Sequence, residues 1–190
     1  LLAAGLATPV QGAESKPDGA VAGRHYDLRQ TLPAGEALAA DPAQNAAIER
    51  WRATTPGLRI DRDARTGATR SVGRSGGYLT GTRQGGDIES LAVDFVRQEV
   101  DLLGLDAADL DDYEVTNVVP SRATGLTHIY LRQRHAGLPV YNAQLQINIK
   151  DDGRVLSVHN QFLPRIAAAA GPAVPALSLP EAVASLTAHL

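Results

Sequence analysis

Between Thr127 and Leu163 apolar and polar residues alternate in three runs, and the two breaks between them fall at turn-forming residues. This pattern predicts three consecutive antiparallel strands. Asp152-Gly153 predicts a two-residue turn, because a type I′ hairpin needs positive φ at both central positions. Closing the hairpin there sets Ile149 opposite Leu156, Ile147 opposite Val158, Leu145 opposite Asn160 and Ala143 opposite Phe162. A one-residue slip would pair Ile147 with Ser157 and mix apolar with polar residues on both faces, so the pattern selects the register. In the first hairpin, a three-residue loop at His135-Ala136-Gly137 with a left-handed Gly137 places Leu131 opposite Tyr141 and Ile129 opposite Ala143. One face of the ribbon is therefore predicted to be core.

The other face carries His128, Tyr130, Arg132, Val140, Asn142, Gln144, Gln146, Asn148, Ser157, His159 and Gln161. It is rich in amides and nearly free of formal charge, where a solvated strand face more often carries Lys and Glu. Two readings are open: a wetted sheet face, as antiparallel sheets commonly have, or a hydrogen-bonding contact surface with a Tyr130-Val140 apolar spot. On the second reading Tyr130, Val140, Asn142, Gln144, Gln146, His159 and Gln161 are the candidate partner interface.

Upstream, Asp87 to Gly104 predicts the main helix. Ile88, Leu91, Ala92, Phe95, Val96, Val100 and Leu103 form one stripe, with Asp87 as N-cap and Gly104 as C-cap. This stripe is the expected cover for the core face of the sheet. Asp41-Pro42 opens a shorter helix to Thr54, with Ala43, Ala46, Ala47 and Trp51 at helical spacing. Trp51, the single tryptophan, is expected in the core. Leu58–Asp63 and Ala68–Val72 predict a hairpin around Arg65-Thr66-Gly67, and Tyr113–Val119 predicts a strand pairing with Thr127–Arg134. The resulting fold class is α+β: an antiparallel meander over 113–162 packed against one main helix over 88–103.

The 190 residues suffice for one sizeable core plus linkers. A formal charge of −3 offers no basic patch for a nucleic acid or an anionic membrane. The absence of Cys excludes disulfides, thiol catalysis and thiolate metal sites. Residues 1–13 are small and apolar and read as the remnant of a secretory signal peptide, too short to span a bilayer, or alternatively as an Ala-rich tail. Residues 14–40 read as a linker or extended arm, and 166–177 as an Ala/Pro linker. At 178–190, Ser178 and Glu181 form a capping box ahead of an apolar stripe of Leu179, Val183, Leu186 and Leu190, predicting the first helix of a following, truncated segment.

Candidate chemistry within these residues is sparse. The five histidines include no pair four apart and no H-E-x-x-H zinc motif. His128 and His159 share a face but lie about 10 Å apart across an intervening strand, too far to bind one metal. Asp106, Asp109, Asp111 and Asp112 lack the glycine and closing glutamate of an EF-hand and read as a solvated acidic cap. Gly73-Arg-Ser-Gly-Gly77 lacks the Lys-Ser/Thr ending of a phosphate loop. No catalytic, cofactor-binding or metal-binding residue is therefore assigned.

The run Gln133-x-x-x-Gly137-Leu-Pro-Val-Tyr-Asn-Ala143, then Asp152-Gly-Arg-Val-Leu-Ser157 and Asn160-x-Phe162-Leu163-Pro164, resembles the fungalysin/thermolysin propeptide (FTP) family. Tyr26-Asp27-Leu28-Arg29, Tyr78-Leu79-Thr80 and Leu102-Leu103-Gly104-Leu105 extend the likeness over roughly residues 25 to 165. The resemblance implies a cystatin/PepSY-like outline, with an FTP-type domain at 41–165 followed by a PepSY-like segment. It implies an N-terminal propeptide of an exported zinc metalloendopeptidase, acting as intramolecular chaperone and inhibitor. Zinc would belong only to the catalytic domain, which is absent from these residues, and that domain would be the partner. The mature piece would be extracellular, with no membrane contact. A free-standing secreted peptidase-inhibitor module and a structural domain of the cell envelope are the alternatives.

Overall fold

A computed structural model describes residues 41–83, 86–170 and 177–188. The predicted signal remnant and extended arm, including Tyr26–Arg29, lie outside these residues. The described elements are α1 (Pro42–Thr54), β1 (Leu58–Arg62), β2 (Thr69–Arg74), α2 (Ile88–Gln98), α3 (Val100–Leu103), β3 (Tyr113–Ser121), β4 (Leu126–His135), β5 (Leu138–Lys150), β6 (Val155–Asn160), α4 (Ile166–Ala170) and α5 (Leu179–Thr187). A 3-10 turn spans Ala107–Leu110. The class is α+β, as expected.

The strands form one antiparallel sheet in the order β1-β2-β6-β5-β4-β3. The predicted meander is thus joined to the β1–β2 hairpin, with Ser71 opposite His159 and Val72 opposite Val158. Leu131, Ile129, Leu145, Ile147, Ile149 and Val158 point to one side and are buried against α2. Burying a large aliphatic side chain contributes about 1.5 to 3 kcal/mol, so this layer dominates the stability of the domain.

The main helix departs from the expected single rod. Asp87 caps it, accepting from Ser90 N–H at 2.9 Å, and Gly104 ends it with φ +69°. Between them Glu99 leaves helical geometry at φ −114° and ψ 30° and separates α2 from α3. At the break Trp51 Nε1 donates to Glu99 Oε2 at 2.7 Å. Beyond it Leu102 and Leu103 are both fully buried. Trp51 packs edge-on against Phe95, ring centroids 6.2 Å apart, and is half-buried. The buried face of α1 is Gln44, Ala47 and Ile48; Ala43 and Ala46 face solvent. Gln44 is retained inside because its amide donates to Thr69 Oγ1 at 3.2 Å.

Both hairpins within the meander turn differently from the expectation. Ile147 does face Val158 and Leu145 does face Asn160, but Ile149 faces Val155. The loop has three residues, Asp151-Asp152-Gly153, closed by Gly153 N–H to Lys150 O at 2.8 Å, and only Gly153 is left-handed, at φ +80°. The extra residue is absorbed as a bulge at Leu156, which keeps Val155 and Val158 both inside. The first hairpin shows the reverse. Its loop has two residues, Ala136 and Gly137, both at positive φ, and His135 pairs with Leu138. Leu131 then faces Leu145 and Ile129 faces Ile147, a shift of four residues from the expected pairing.

The acidic turn is likewise not a solvated cap throughout. Asp109 is 3% exposed. Its carboxylate accepts from Asp106 N at 2.9 Å, Arg165 N at 2.9 Å and Ile166 N at 3.1 Å. It thereby pins the chain where it leaves the sheet. The first residues of the predicted linker, Ile166–Ala170, are helical from this anchor. The capping box between Ser178 and Glu181 is present at the start of α5.

Candidate partner interface

The outward face of the sheet is assembled by strand pairing. Tyr130 on β4 faces Gln146 on β5, and Gln146 faces His159 on β6. With Gln144 and Gln161 these three line a hollow of 330 Å³, whose far wall is Asp61, Arg70 and Ser71 of the β1–β2 hairpin. Five of the seven predicted interface residues therefore converge on one hollow. Val140 and Asn142 line a second hollow of 330 Å³ with Arg132, and Gln144 belongs to both. The expected Tyr130-Val140 apolar spot is not formed, because the shift in register moves Val140 to the far end of β5.

Asn148 organises the polar layer beneath this surface. It is 7% exposed. Its side-chain oxygen lies 2.6 Å from His128 Nδ1 and accepts from Gln146 Nε2 at 2.9 Å, and its amide donates to Ser157 Oγ at 2.9 Å. The formal charges nearby are internally paired, Arg70 with Asp61 at 3.0 Å and Arg132 with Glu114 at 3.0 Å. What remains exposed in the centre is Gln144, His159 and Gln161. Such a surface discriminates by hydrogen-bond geometry and not by long-range attraction.

Two contributions escaped the sequence pattern. The β2 strand supplies a wall of the first hollow, and its short alternation around Val72 gave no cue that it pairs with β6. Tyr141 was expected opposite Leu131 in the core and is instead 89% exposed. The cue was the residue after it: Asn142 adopts φ +55°, a left-handed conformation that Asn tolerates better than most residues. Among the described residues no group of three or more His, Asp or Glu side chains is arranged to hold a metal ion. No helix among them is long and apolar enough to cross a membrane.

Compared with known families, residues 111–162 match the model described as the Fungalysin/Thermolysin Propeptide Motif. The match covers about a quarter of the chain and runs from the approach to β3 to the end of β6. No curated protein matches the chain. The chain therefore carries a motif that marks propeptides of fungalysin/thermolysin-type peptidase precursors, and that motif coincides with the strands that build most of the outward face.

Proposed function

We propose that residues 41–165 form a propeptide domain of an exported zinc metalloendopeptidase precursor, which assists folding of the catalytic domain and inhibits it until processing. The observation that carries this reading is the coincidence of the motif at 111–162 with the uncharged face formed by Tyr130, Gln144, Gln146, His159 and Gln161. Residues 166–177 would link this domain to a PepSY-like segment opening at 178.

The physical basis of inhibition is tethering. A domain on the same polypeptide acts at an effective concentration in the millimolar range for short linkers, so modest contacts suffice before cleavage and are lost by dilution after it. The amide face suits that role: its hydrogen bonds give orientation and specificity without the affinity that would block release. Zinc would belong to the catalytic domain, and no residue of this chain is assigned to it.

The test refolds the denatured catalytic domain of the precursor with and without the 190-residue chain, and titrates the chain against the mature peptidase. A rise in refolded yield together with inhibition supports the proposal. A chain that inhibits a peptidase but leaves refolding unchanged favours a free-standing inhibitor. Replacing Gln144 and Gln146 by Arg should weaken inhibition at least tenfold, and unaltered inhibition would remove the face from the contact.

A further inference from the structure

We infer that Tyr141 is the principal anchor by which the domain docks on the catalytic domain; the inference rests on the propeptide reading and assigns a specific contact within it. The pairing of β4 with β5 passes from Arg132–Gln144 directly to Arg134–Pro139, so the four residues Val140 to Ala143 stand opposite the single residue Gln133. This bulge is closed, not slack. Gln133 is fully buried and both ends of its amide are occupied by the main chain of Leu163: Nε2 donates to the carbonyl at 3.0 Å, and Oε1 accepts from N–H at 2.9 Å. Ala143 at the end of the bulge is 1% exposed. Gln161 N–H donates to Gln144 O at 2.7 Å just beyond it.

Next to this anchored end stands Tyr141, the most exposed large hydrophobic side chain among the described residues. Tyr141 is 89% exposed beside Asn142 in a left-handed conformation, a backbone arrangement that costs free energy and turns Tyr141 outward while Ala143 is buried. A tyrosine has only two side-chain torsions to fix on binding and buries a large amphipathic ring, the pattern of an interface hot spot. The ring stands between two hollows, one of 330 Å³ shared with Val140 and Gln144 and one of 530 Å³ shared with Gln161 and Leu163. Gln144 and Gln161 also line the central amide hollow, so the anchor is continuous with the face proposed above.

The occupant follows from where the chain leaves. Leu163 lines the hollow beside Tyr141, and the next residues are the exit held by Asp109. On the propeptide reading, the polypeptide leading to the peptidase departs from the rim of this hollow. The linker at 166–177 and the segment opening at 178 intervene, so the tether starts beside the anchor, and the catalytic domain within its reach should present an apolar pocket that admits a phenol ring.

The test compares the 190-residue chain with its Tyr141→Ala and Tyr141→Phe variants as inhibitors of the mature peptidase of the precursor. Tyr141→Ala should weaken inhibition roughly 30-fold and Tyr141→Phe less than threefold, with the unfolding midpoint unchanged because the side chain is solvent-exposed. Backbone amide exchange of Val140 to Asn142 in the wild-type chain should slow in the complex, a readout independent of how the variants fold. Undiminished inhibition by Tyr141→Ala, or unchanged exchange at those amides in a complex that forms, overturns the anchor while leaving the propeptide reading intact. Failure of the wild-type chain to bind the peptidase overturns both.

Discussion

The side-chain oxygen of Asn148 sits 2.6 Å from Nδ1 of His128, and the other end of the same amide donates to Ser157 Oγ at 2.9 Å. With the amide nitrogen donating to Ser157, the oxygen faces the ring as an acceptor, an arrangement that favours the His128 tautomer with its proton on Nδ1. The buried amide thus fixes the orientation of side chains from three adjacent strands. Nitrogen-15 spectra of the neutral His128 ring should show the Nδ1–H tautomer. Asn148→Leu should destabilise the domain by about 1 to 3 kcal/mol by leaving polar partners unmatched. A ring protonated on Nε2 alone would contradict the arrangement.

Buried polar residues such as this one mark the boundary of what the residue pattern conveys. The alternation through Leu145, Ile147 and Ile149 made the central strand, its core face and the helix over it legible, because burial needs a period of two in a strand and 3.6 in a helix. Register near the turns depends on something the alternation does not encode: which buried partner closes the ladder. Gln133 and Leu163 make that closure thirty positions apart in the chain, and it expels Tyr141, whose apolar neighbours had argued for burial. Glu99, where the main helix is interrupted, is likewise engaged by a residue far away in the chain, Trp51 on another helix. The amide face was legible because its residues alternate with the core residues along each strand, and an even shift of register leaves that alternation intact. Tyr141 was not, because it lies within the irregular stretch.

Asp109 should be among the most sensitive polar positions. Its buried carboxylate receives three backbone N–H groups, two of them from Arg165 and Ile166. Asp109→Ala leaves all three N–H groups without their acceptor and should cost about 3 kcal/mol, as hydrogen bonds to charged groups are worth roughly 1.5 to 3 kcal/mol each and part of the segment rehydrates. The amides of Arg165 and Ile166 should lose exchange protection while those of β5 keep theirs. Equal loss in both regions would show that Asp109 supports the whole core and not the exit of the chain.

Two left-handed glycines separate conformational cost from crowding. A Cβ on Gly153, at φ +80°, would lie 2.7 Å from Arg83 O and 3.2 Å from Leu91 Cδ1, whereas one on Gly76, at φ +71°, meets nothing within 4 Å. Gly76→Ala should cost about 1 kcal/mol, the penalty for a side chain in that conformation. Gly153→Ala adds displacement of the segment docked on the hairpin and should cost about 3 kcal/mol. Denaturant titration of the two variants checks the difference, and equal costs would mean that the Arg83 segment yields freely.

Acid should destabilise the domain through its capping and turn carboxylates. Hydrogen bonds from Ser90, first its N–H and then its hydroxyl, hold Asp87 below the ordinary carboxylate value. The Arg154 side chain does the same for Asp152. At Asp63 partial burial opposes the shift, but the N–H groups of Arg65 and Thr66 outweigh it. Each group is more acidic folded than unfolded, so its contribution is present above the unfolded value of about 3.9 and is lost as pH falls through the folded one. The unfolding midpoint should hold from neutrality down to roughly pH 4 to 5 and then decline. Replacing Asp87 and Asp152 by Ala should flatten that acid limb; a decline parallel to the wild type would place its origin elsewhere.

The contact between Trp51 and Phe95 joins α1 and α2 over the core. Phe95 is 2% exposed and receives the edge of Trp51 at 6.2 Å with an interplanar angle of 84°. Phe95→Ala should cost about 3 to 5 kcal/mol, the range for emptying a large aromatic site, and Phe95→Asp should prevent folding because it buries an unpaired charge. Trp51 reports on the site directly, since its ring touches Phe95 while its Nε1 is held by Glu99 at 2.7 Å. In a Phe95→Leu variant that still folds, the tryptophan emission should shift to longer wavelength as water reaches the ring. Glu99→Gln should shift it far less, because a neutral acceptor remains for Nε1. If Phe95→Asp melted at the wild-type temperature, the packing of α2 over the sheet would not be the source of the stability assigned to it.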